Sequence, residues 1–301
     1  MDIKQLRYFA TIANEGQISR AARKLHMAQP PLSQQLKLLE EELGTPLFER
    51  KGRRLELTAP GKVLYKKAVM ILNLLEETVM EVKETEQGLR GVLRIGSVKS
   101  GFSHLIRRIR RFREQYPMIT FQLREGDSYR ICELLRNRDI EIGLVRLPIE
   151  MEDVHMIHLP IEPYVAVLPK DWQIAAGPTI SMKDVKDLPL LLLHRISGIG
   201  QYEMVIDECR RHGFEPNVIC ECPDVGMLLP LVAEGVGATI VPKSAIAHNQ
   251  TKNIQHLEIE DSSLQSESAI IWLKDRYMSR AAQRFLEMFE DLYPLGAVRT
   301  E

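Results

Sequence analysis

The chain has 301 residues, of which 27% are charged, and its formal net charge is −1 at pH 7. This length suggests about two domains, and four cysteines are too few for a disulfide scaffold, which favours a reducing compartment. Charged residues interrupt the N-terminal segment, and no apolar run reaches the ~18 residues of a membrane span, so we expect a cytoplasmic protein.

The first 31 residues predict two short helices that lead into a third. Gly16 can end the first helix in a left-handed conformation, and Ser19 is the expected N-cap of the second. Ala21 and Ala22 leave room for another helix to cross closely. Pro30 and Pro31 stand where the third helix begins, because proline costs little there.

The third predicted helix has an apolar back and a polar front. Its leucines recur at steps of four, three and four along one face: Leu32, Leu36, Leu39 and Leu43. The side chains expected to meet DNA lie at its N-terminal end: Gln29, Pro30, Ser33, Gln34 and Lys37. Glutamine can pair with adenine and lysine with guanine or phosphate, while proline would shape the approach. The pattern predicts a helix-turn-helix that binds double-stranded DNA; an ordinary helical hairpin is the alternative.

A basic turn follows the third helix. Lysine and arginine side chains surround Gly52, and alternating leucines follow, so we predict a small β-hairpin, or wing. The arginines expected to contact phosphates or the minor groove are Arg50, Arg53 and Arg54. Alternatively, these basic residues belong to a solvent-exposed turn that does not contact DNA.

Charge is distributed unevenly along the chain. Residues 1–67 contain 13 Lys/Arg and 7 Asp/Glu, a net charge of +6, so the remainder must carry −7 to give the total of −1. This asymmetry predicts a basic nucleic-acid-binding module attached to an acidic body.

A long helix should begin after Thr58, a natural N-cap. Its apolar residues follow a seven-residue pattern interrupted at Thr78 and widened by two further positions: Leu64, Ala68, Ile71, Leu72, Leu75, Val79 and Val82. A narrow stripe of this kind fits a helix that pairs with a second copy, so we predict a homodimer. The alternative is a helix packed on its own body.

After glycines at positions 88 and 91, strand patterns alternate with helix patterns to the C-terminus. The expected strands include 92–98, 119–123, 140–145, 189–193, 218–222, 238–242 and 269–273. This alternation predicts parallel βαβ units. The last helix is expected at 281–292.

Four N-terminal segments resemble the winged helix-turn-helix of LysR-type transcriptional regulators: Leu6–Gly16, Ser19–Gly44, Pro46–Arg50 and Thr58–Gly61. The similarity continues more weakly through the whole chain, whose length also matches that family. The resemblance implies an all-α winged helix-turn-helix domain at 1–58 and a linker or dimerisation helix at 59–89. It also implies an effector-binding domain at 90–301.

The resemblance further implies that this last domain has two α/β lobes, similar to type 2 periplasmic solute-binding proteins. Lobe I would span about 90–161 and 267–301, and lobe II about 162–266, with crossovers near Leu159–Glu162 and Ser262–Glu267. The implied partners are promoter DNA, a small-molecule effector, further copies of the chain up to a tetramer, and RNA polymerase.

An effector should bind between the lobes, where loops meet the N-termini of helices, which favour anions. We therefore expect a carboxylate or another small anion. The expected contacts are Ser97, Lys99, Ser100, Gly101, Asp127, Ser128, Arg146, Gln201, Tyr202 and Asp224. Arg146 could instead form a surface ion pair.

Other classes of function fit less well. A periplasmic solute-binding protein would not explain residues 1–90, and the sequence has no GlyXaaSerXaaGly elbow, P-loop or HisGluXaaXaaHis motif of an enzyme. Cys220 and Cys222 should share one face of a strand, and we interpret them as reduced structural thiols, with metal or redox chemistry left open. His155 and His158 are interpreted as surface residues. We expect no cofactor and no bound metal.

Overall fold

The computed structural model describes residues 1–51, 54–87, 90–174, 177–194, 200–247 and 251–290. Contacts divide the chain into two compact units. One comprises Met1–Gln87 with Asn137–Asp139, and the other comprises Gly88–Arg136 with Ile140–Glu301.

The N-terminal unit contains three short helices, a hairpin and one long helix. Its elements are α1 (Ile3–Glu15), α2 (Ile18–Lys24), α3 (Gln29–Leu43), β1 (Phe48–Lys51), β2 (Arg54–Leu57) and α4 (Ala59–Gln87). Gly16 ends α1 with φ 64°, as predicted. The prediction for Ser19 was wrong: Gln17 occupies the N-cap of α2, where its side chain makes no capping hydrogen bond to the helix, and Ser19 lies exposed inside the helix.

The three short helices pack around small and branched side chains. Ala21 and Ala22 are buried in one cluster with Ile12 and Leu32, which confirms the close crossing of α2 and its neighbours. Pro30 and Pro31 stand in the first turn of α3. Of the leucines predicted to line one face, Leu43 is 40% exposed, because it lies at the last residue of the helix.

Helix α4 begins where Thr58 caps it, with the Gly61 amide donating to Thr58 Oγ1 at 3.1 Å. The first part of the apolar stripe is used within the chain, since Leu64 and Ala68 pack in the core of the N-terminal unit. From Ile71 onward most of the stripe is exposed (Ile71 39%, Leu75 37%, Val79 44% and Val82 68%), whereas Leu72 is half-buried. On another face, Asn73 and Glu77 contact residues 137–139, so α4 also packs on its own chain beyond its start. Pairing through the exposed part of the stripe stays a prediction.

The C-terminal unit alternates strands and helices. Its elements are β3 (Gly91–Ser97), α5 (Ser103–Gln115), β4 (Ile119–Glu125), α6 (Ser128–Arg136), β5 (Ile142–Arg146), β6 (Val154–His158), β7 (Glu162–Pro169), β8 (Thr179–Ile180), α7 (Met182–Val185), β9 (Pro189–Leu193), α8 (Gln201–Arg211), β10 (Asn217–Cys222), α9 (Val225–Ala233), β11 (Thr239–Pro242), α10 (Lys243–Ile246), β12 (Ile254–Ile259), β13 (Gln265–Ser266), β14 (Ser268–Leu273) and α11 (Arg280–Glu290).

These elements form two lobes with separate cores. The first sheet has the strand order β4-β3-β5-β14-β6, and its core contains residues before Leu159 together with residues after Ala269. The second lobe contains the sheet β11-β7-β12-β8 and the parallel pair β9–β10, which a bridge from Leu190 to Ala238 joins to the start of β11.

The sheets are mixed rather than purely parallel. Strands β3, β4 and β5 are parallel as predicted. In contrast, β14 is antiparallel to β5 and β6, and β7 is antiparallel to β11 and β12. The first of these departures arises because the chain returns from lobe II and enters the first sheet from the opposite direction. Strand β6 carries His155 and His158, which are exposed.

Candidate functional site

The front of α3 presents an exposed polar surface. Gln29, Ser33, Gln34 and Lys37 are all exposed, while Leu32 on the opposite face is fully buried. Lys37 Nζ lies 3.5 Å from a Glu41 carboxylate oxygen, but both side chains are more than half exposed. An exposed pair of this kind is weak, so the lysine can leave it for a phosphate. Pro30 is also exposed at the helix start.

Hydrogen bonds to backbone amides of the wing fix its position relative to α3. Glu40 Oε1 on α3 accepts hydrogen bonds from the Leu47 amide at 2.7 Å and the Phe48 amide at 3.3 Å, at the start of β1. The Leu55 amide on β2 donates to the Gly16 carbonyl at 2.9 Å. These bonds connect the hairpin to α3 and to Gly16, which follows α1. They therefore hold the wing in a fixed position relative to α3.

The wing is a two-stranded hairpin with basic side chains. Arg50 pairs with Leu55 and Lys51 with Arg54 across the two strands. Arg50 and Arg54 are exposed, whereas Lys51 forms an ion pair of 2.7 Å with Glu56. Arg53 lies outside the described residues.

A cavity of about 470 Å³ lies between the two lobes of the C-terminal unit. One wall comes from the loops after β3 and β4, and the other from the starts of α8 and α9. The predicted effector contacts that line it are Lys99, Ser100, Asp127, Ser128, Arg146, Gln201 and Asp224. Its other lining residues include Glu125, Tyr129, Arg130, Tyr164, His194 and Met204.

An ion pair between the lobes crosses this cleft. Lys99 Nζ lies 3.0 Å from Asp224 Oδ1 and 3.3 Å from Glu125 Oε1. The same Asp224 oxygen accepts hydrogen bonds from the amides of Gly226 at 2.6 Å and Met227 at 3.1 Å, and so caps α9. Burial opposes the charge on Asp224, yet Lys99 and the Gly226 amide lower the pKa of this carboxyl below its usual value.

Arg146 lies on the floor of the cleft, where oxygen atoms from both lobes surround its guanidinium. Its Nη1 donates to Glu162 Oε1 at 2.7 Å and to Ser268 Oγ at 3.0 Å. Its Nη2 donates to Ser244 Oγ at 2.8 Å and to the Ser100 carbonyl at 3.0 Å. Arg146 is 7% exposed, so the ion pair that it forms is buried rather than on the surface.

Glu162 completes this interlobe network, which we define as Ser100, Arg146, Glu162 and Ser244. Its two carboxylate oxygens accept from the Ser244 amide at 2.6 Å and the Ser244 hydroxyl at 2.7 Å. Burial alone would raise the pKa of Glu162, but His104, Arg146 and Ser244 outweigh it and lower the pKa to about 2. The network therefore holds an ion pair at neutral pH where the lobes meet.

Three predicted contacts do not line the cleft. Ser97 is buried at the end of β3, and its hydroxyl donates to the Val98 carbonyl at 2.9 Å. Gly101 is buried against Leu144: a Cβ atom there would lie 2.4 Å from Leu144 Cδ2. Tyr202 lies on a separate groove with Glu203 and Ile206, because the second residue of α8 points away from the cleft.

Glu162 and Ser244 were not among the predicted site residues. Glu162 is a charged residue that opens an apolar strand at a predicted crossover, and Ser244 follows β11 as Ser100 follows β3. Ser244, like Ser100, follows a strand and stands near the start of a helix, and this shared position is the signal that points to it. Nothing local in the sequence indicates that these residues meet Arg146.

The described part of the chain contains no group of three or more His, Cys, Asp or Glu side chains able to hold a metal ion. Cys220 Sγ and Cys222 Sγ lie 3.7 Å apart on β10. None of the described helices is long and apolar enough to cross a membrane.

Two protein-family models together match almost the whole chain. Residues 3–62 match the bacterial regulatory helix-turn-helix protein of the lysR family, and residues 86–293 match the LysR substrate binding domain.

Individual proteins show the same similarity over their full length. The HTH-type transcriptional regulator BsdA of Bacillus subtilis is 39% identical over 290 residues, which cover 96% of this chain and 100% of that protein. AlsR, another HTH-type transcriptional regulator of B. subtilis, is 32% identical and covers 92% of both chains. The crystal structure of full-length CbnR complexed with its target DNA has a TM-score of 0.79 at 25% identity, covering 97% of this chain and 99% of that one.

Proposed function

The chain belongs to the LysR family of DNA-binding transcriptional regulators, and we propose that it controls its promoters in response to a small anionic metabolite bound between its two lobes. One observation carries this proposal. The chain combines a polar helix face and basic wing in one unit with a cleft in the other that both lobes line with hydrogen-bonding groups.

Sequence reading would come from the front of α3. Gln29, Ser33 and Gln34 are exposed near its N-terminus, where side chains can reach base edges in the major groove. Lys37 would contact guanine or phosphate, and Pro30 would add an apolar contact. Arg50, Arg53 and Arg54 would hold the backbone or minor groove, contacts that set orientation rather than sequence.

The effector site would be the cleft at Lys99 and Ser100. A ligand carboxylate could take the position that Asp224 now holds beside Lys99, and Gln201 would approach from lobe II. Ser128 and Asp127 would complete the wall after β4. The Arg146 guanidinium already lies within hydrogen-bonding distance of six oxygen atoms, on Ser100, Glu162, Ser244, Ser266 and Ser268, so we propose that it responds to a ligand mainly through Ser100.

Ligand binding can change the DNA complex only if the ligand prefers one arrangement of the lobes. The interlobe network is the element that such a preference would act on. Ser100 belongs to the loop that faces the ligand, and its carbonyl oxygen accepts a hydrogen bond from Arg146 and lies 3.1 Å from the Ser244 hydroxyl oxygen. A shift of this loop therefore alters contacts on both sides of the crossing.

We further propose that the exposed stripe on α4 pairs two copies, and that two such dimers form a tetramer. Two-fold symmetry would place two α3 helices on the halves of a palindromic site. The protein would act in the cytoplasm, where it would bind promoter DNA and contact RNA polymerase. The α/β body would bind its ligand without turning it over, in line with relatives named as regulators.

The decisive test is a gel-shift titration with DNA from upstream of the protein's own gene, repeated over a range of salt concentrations. Random DNA of equal length is the control. We expect tighter binding to the upstream DNA and a steep loss of affinity with salt, because basic side chains displace counterions from phosphates. Equal affinity for both DNAs at every salt concentration would contradict sequence-specific reading. Turnover of a metabolite by the purified protein would contradict the non-enzymatic assignment.

A further inference from the structure

The cysteine pair on β10 lies outside the cleft and plays no part in the function proposed above. The two sulfur atoms are 3.7 Å apart, because side chains two residues apart on a strand project from the same face. Cys220 is partly exposed and Cys222 is buried, so we expect a reagent to meet Cys220 first, with the second sulfur beside it.

The separation of the sulfurs indicates what the pair can hold. A disulfide bond requires about 2.0 Å between sulfurs, far less than the distance found here. Two bonds of about 2.3 Å to one atom place the two sulfurs about 3.3–3.8 Å apart for bond angles between about 90° and the tetrahedral value. The pair therefore fits one bridging atom without moving the strand.

The surroundings favour a bridging atom that needs only two protein ligands. A structural zinc ion takes four, and the described residues supply no third or fourth His, Cys, Asp or Glu ligand near this pair. Trivalent arsenic bonds strongly to thiols and can keep an organic substituent as its third ligand. We propose that Cys220 and Cys222 form a dithiol site for trivalent organoarsenicals.

The reaction needs no oxidant. The Cys220 sulfur bonds first to arsenic, and its proton leaves with one arsenic-bound hydroxide as water. The Cys222 sulfur then closes the ring and releases a second water in the same way, so two S–H and two As–O bonds are replaced by two As–S and two O–H bonds. Burial raises the pKa of Cys222 to about 11, which is consistent with Cys220 reacting first.

The test uses the reduced full-length protein and phenylarsine oxide, followed by intact-mass spectrometry under native conditions and peptide mapping. We expect one phenylarsenic group per folded chain, located on the peptide that contains β10. The adduct should survive an excess of a monothiol and should be removed by 2,3-dimercaptopropanol, because two sulfurs hold the arsenic.

Serine variants identify the ligands. Cys220→Ser and Cys222→Ser should each lose the monothiol-resistant adduct, whereas Cys132→Ser and Cys209→Ser, at buried cysteines elsewhere, should retain it. Circular dichroism checks that each variant is folded; because Cys220 is partly exposed, its variant decides the result if Cys222→Ser does not fold. An adduct that forms only after unfolding, persists in Cys220→Ser or maps to another peptide would overturn the proposal, as would no adduct at all.

Discussion

Some side chains of α3 stabilise the fold, and others are expected to contact DNA. Leu32 and Leu39 are buried and hold the helix against the N-terminal core, while Gln34 is exposed on the other side. Glu40 has a third role, because it accepts hydrogen bonds from two amides at the start of the wing. A substitution at Gln34 should therefore test recognition without disturbing the fold.

We expect Gln34→Ala to weaken binding to the specific site by about 1–3 kcal/mol and binding to random DNA hardly at all, because it removes a base contact. Gln35→Ala is the matched control, since Gln35 is half-buried about 100° around the helix. Fluorescence anisotropy with both DNAs measures the difference. Equal losses on specific and random DNA would remove Gln34 from the base-reading residues.

Glu162 predicts a pH dependence of stability. Its pKa falls from 4.5 to about 2 on folding. A carboxyl whose pKa is lowered contributes stability above its unfolded pKa and loses it as pH falls through the folded pKa. We expect this contribution to be complete above about pH 4.5 and to disappear as the pH approaches 2.

At neutral pH, Glu162→Gln should destabilise the C-terminal unit by about 3–5 kcal/mol, because it leaves the buried charge of Arg146 without its counter-ion. The difference from wild type should shrink below pH 4.5. Urea unfolding followed by tryptophan fluorescence is suitable, since Trp172 and Trp272, the two tryptophans of the chain, are in this unit. Glu133→Gln, at an exposed pair with Arg130, should have little effect at any pH. A pH-independent cost at Glu162 would contradict the assigned pKa.

Among the elements, α4 changes its environment along its length. Ala68 is buried in the N-terminal core, but Ile71 and Leu75, three and seven residues later, are more than a third exposed. An amphipathic helix rarely leaves such a stripe in water, because burying it against a partner is favourable. The exposed part of the stripe is thus the surface expected to bind a second copy.

The double variant Ile71→Glu/Leu75→Glu should form smaller particles that remain folded, because it introduces unpaired charges into an apolar interface. Multi-angle light scattering measures the mass, and circular dichroism the helix content. Lys66→Glu/Lys67→Glu, at exposed positions of the same helix, introduces two glutamates outside the stripe and should leave the mass unchanged. An intact assembly in the first variant would show that α4 is not the dimer contact.

The elements also show where sequence reasoning succeeds and where it stops. Strand β9 has the bounds expected from its apolar pattern. Strands β6 and β12 were not identified separately, because their polar residues obscure the pattern and their pairing partners lie far along the chain. Lys99 and Ser97 show the same limit at the site: a shift of two residues at a strand end decides whether a side chain meets the cleft or the core.

For the whole molecule, Ser100 links the cleft to the interlobe network through both its backbone and its side chain. The Ser100 carbonyl belongs to the interlobe network, while its hydroxyl accepts from Arg146 Nε at 3.3 Å. Removing the hydroxyl leaves the carbonyl contacts in place. A substitution of Ser100 can therefore test whether its hydroxyl contacts the ligand while the hydrogen bonds of its carbonyl are retained.

We expect Ser100→Ala to retain the DNA affinity of the ligand-free protein but to lose most of its response to an effector. A hydrogen bond to a charged ligand contributes about 1.5–3 kcal/mol, so effector affinity should fall by at least tenfold. Footprinting of the promoter during titration with a carboxylate found by thermal-shift screening measures the response. Ser103→Ala, three residues further along, is the control and should respond normally. A normal response in Ser100→Ala would exclude this hydroxyl as a ligand contact.

The pairing of Lys99 with Asp224 has a consequence for selectivity in a crowded cell. Chloride, phosphate and common metabolic acids are always abundant there, and an isolated lysine in a cleft would attract all of them. Here two carboxylates already neutralise that lysine, and one of them also caps a helix. An anion that offers charge alone gains little by replacing Asp224. A molecule whose remaining atoms also fit the cleft gains further contacts that compensate for displacing Asp224, so we expect the cleft to discriminate against small inorganic anions.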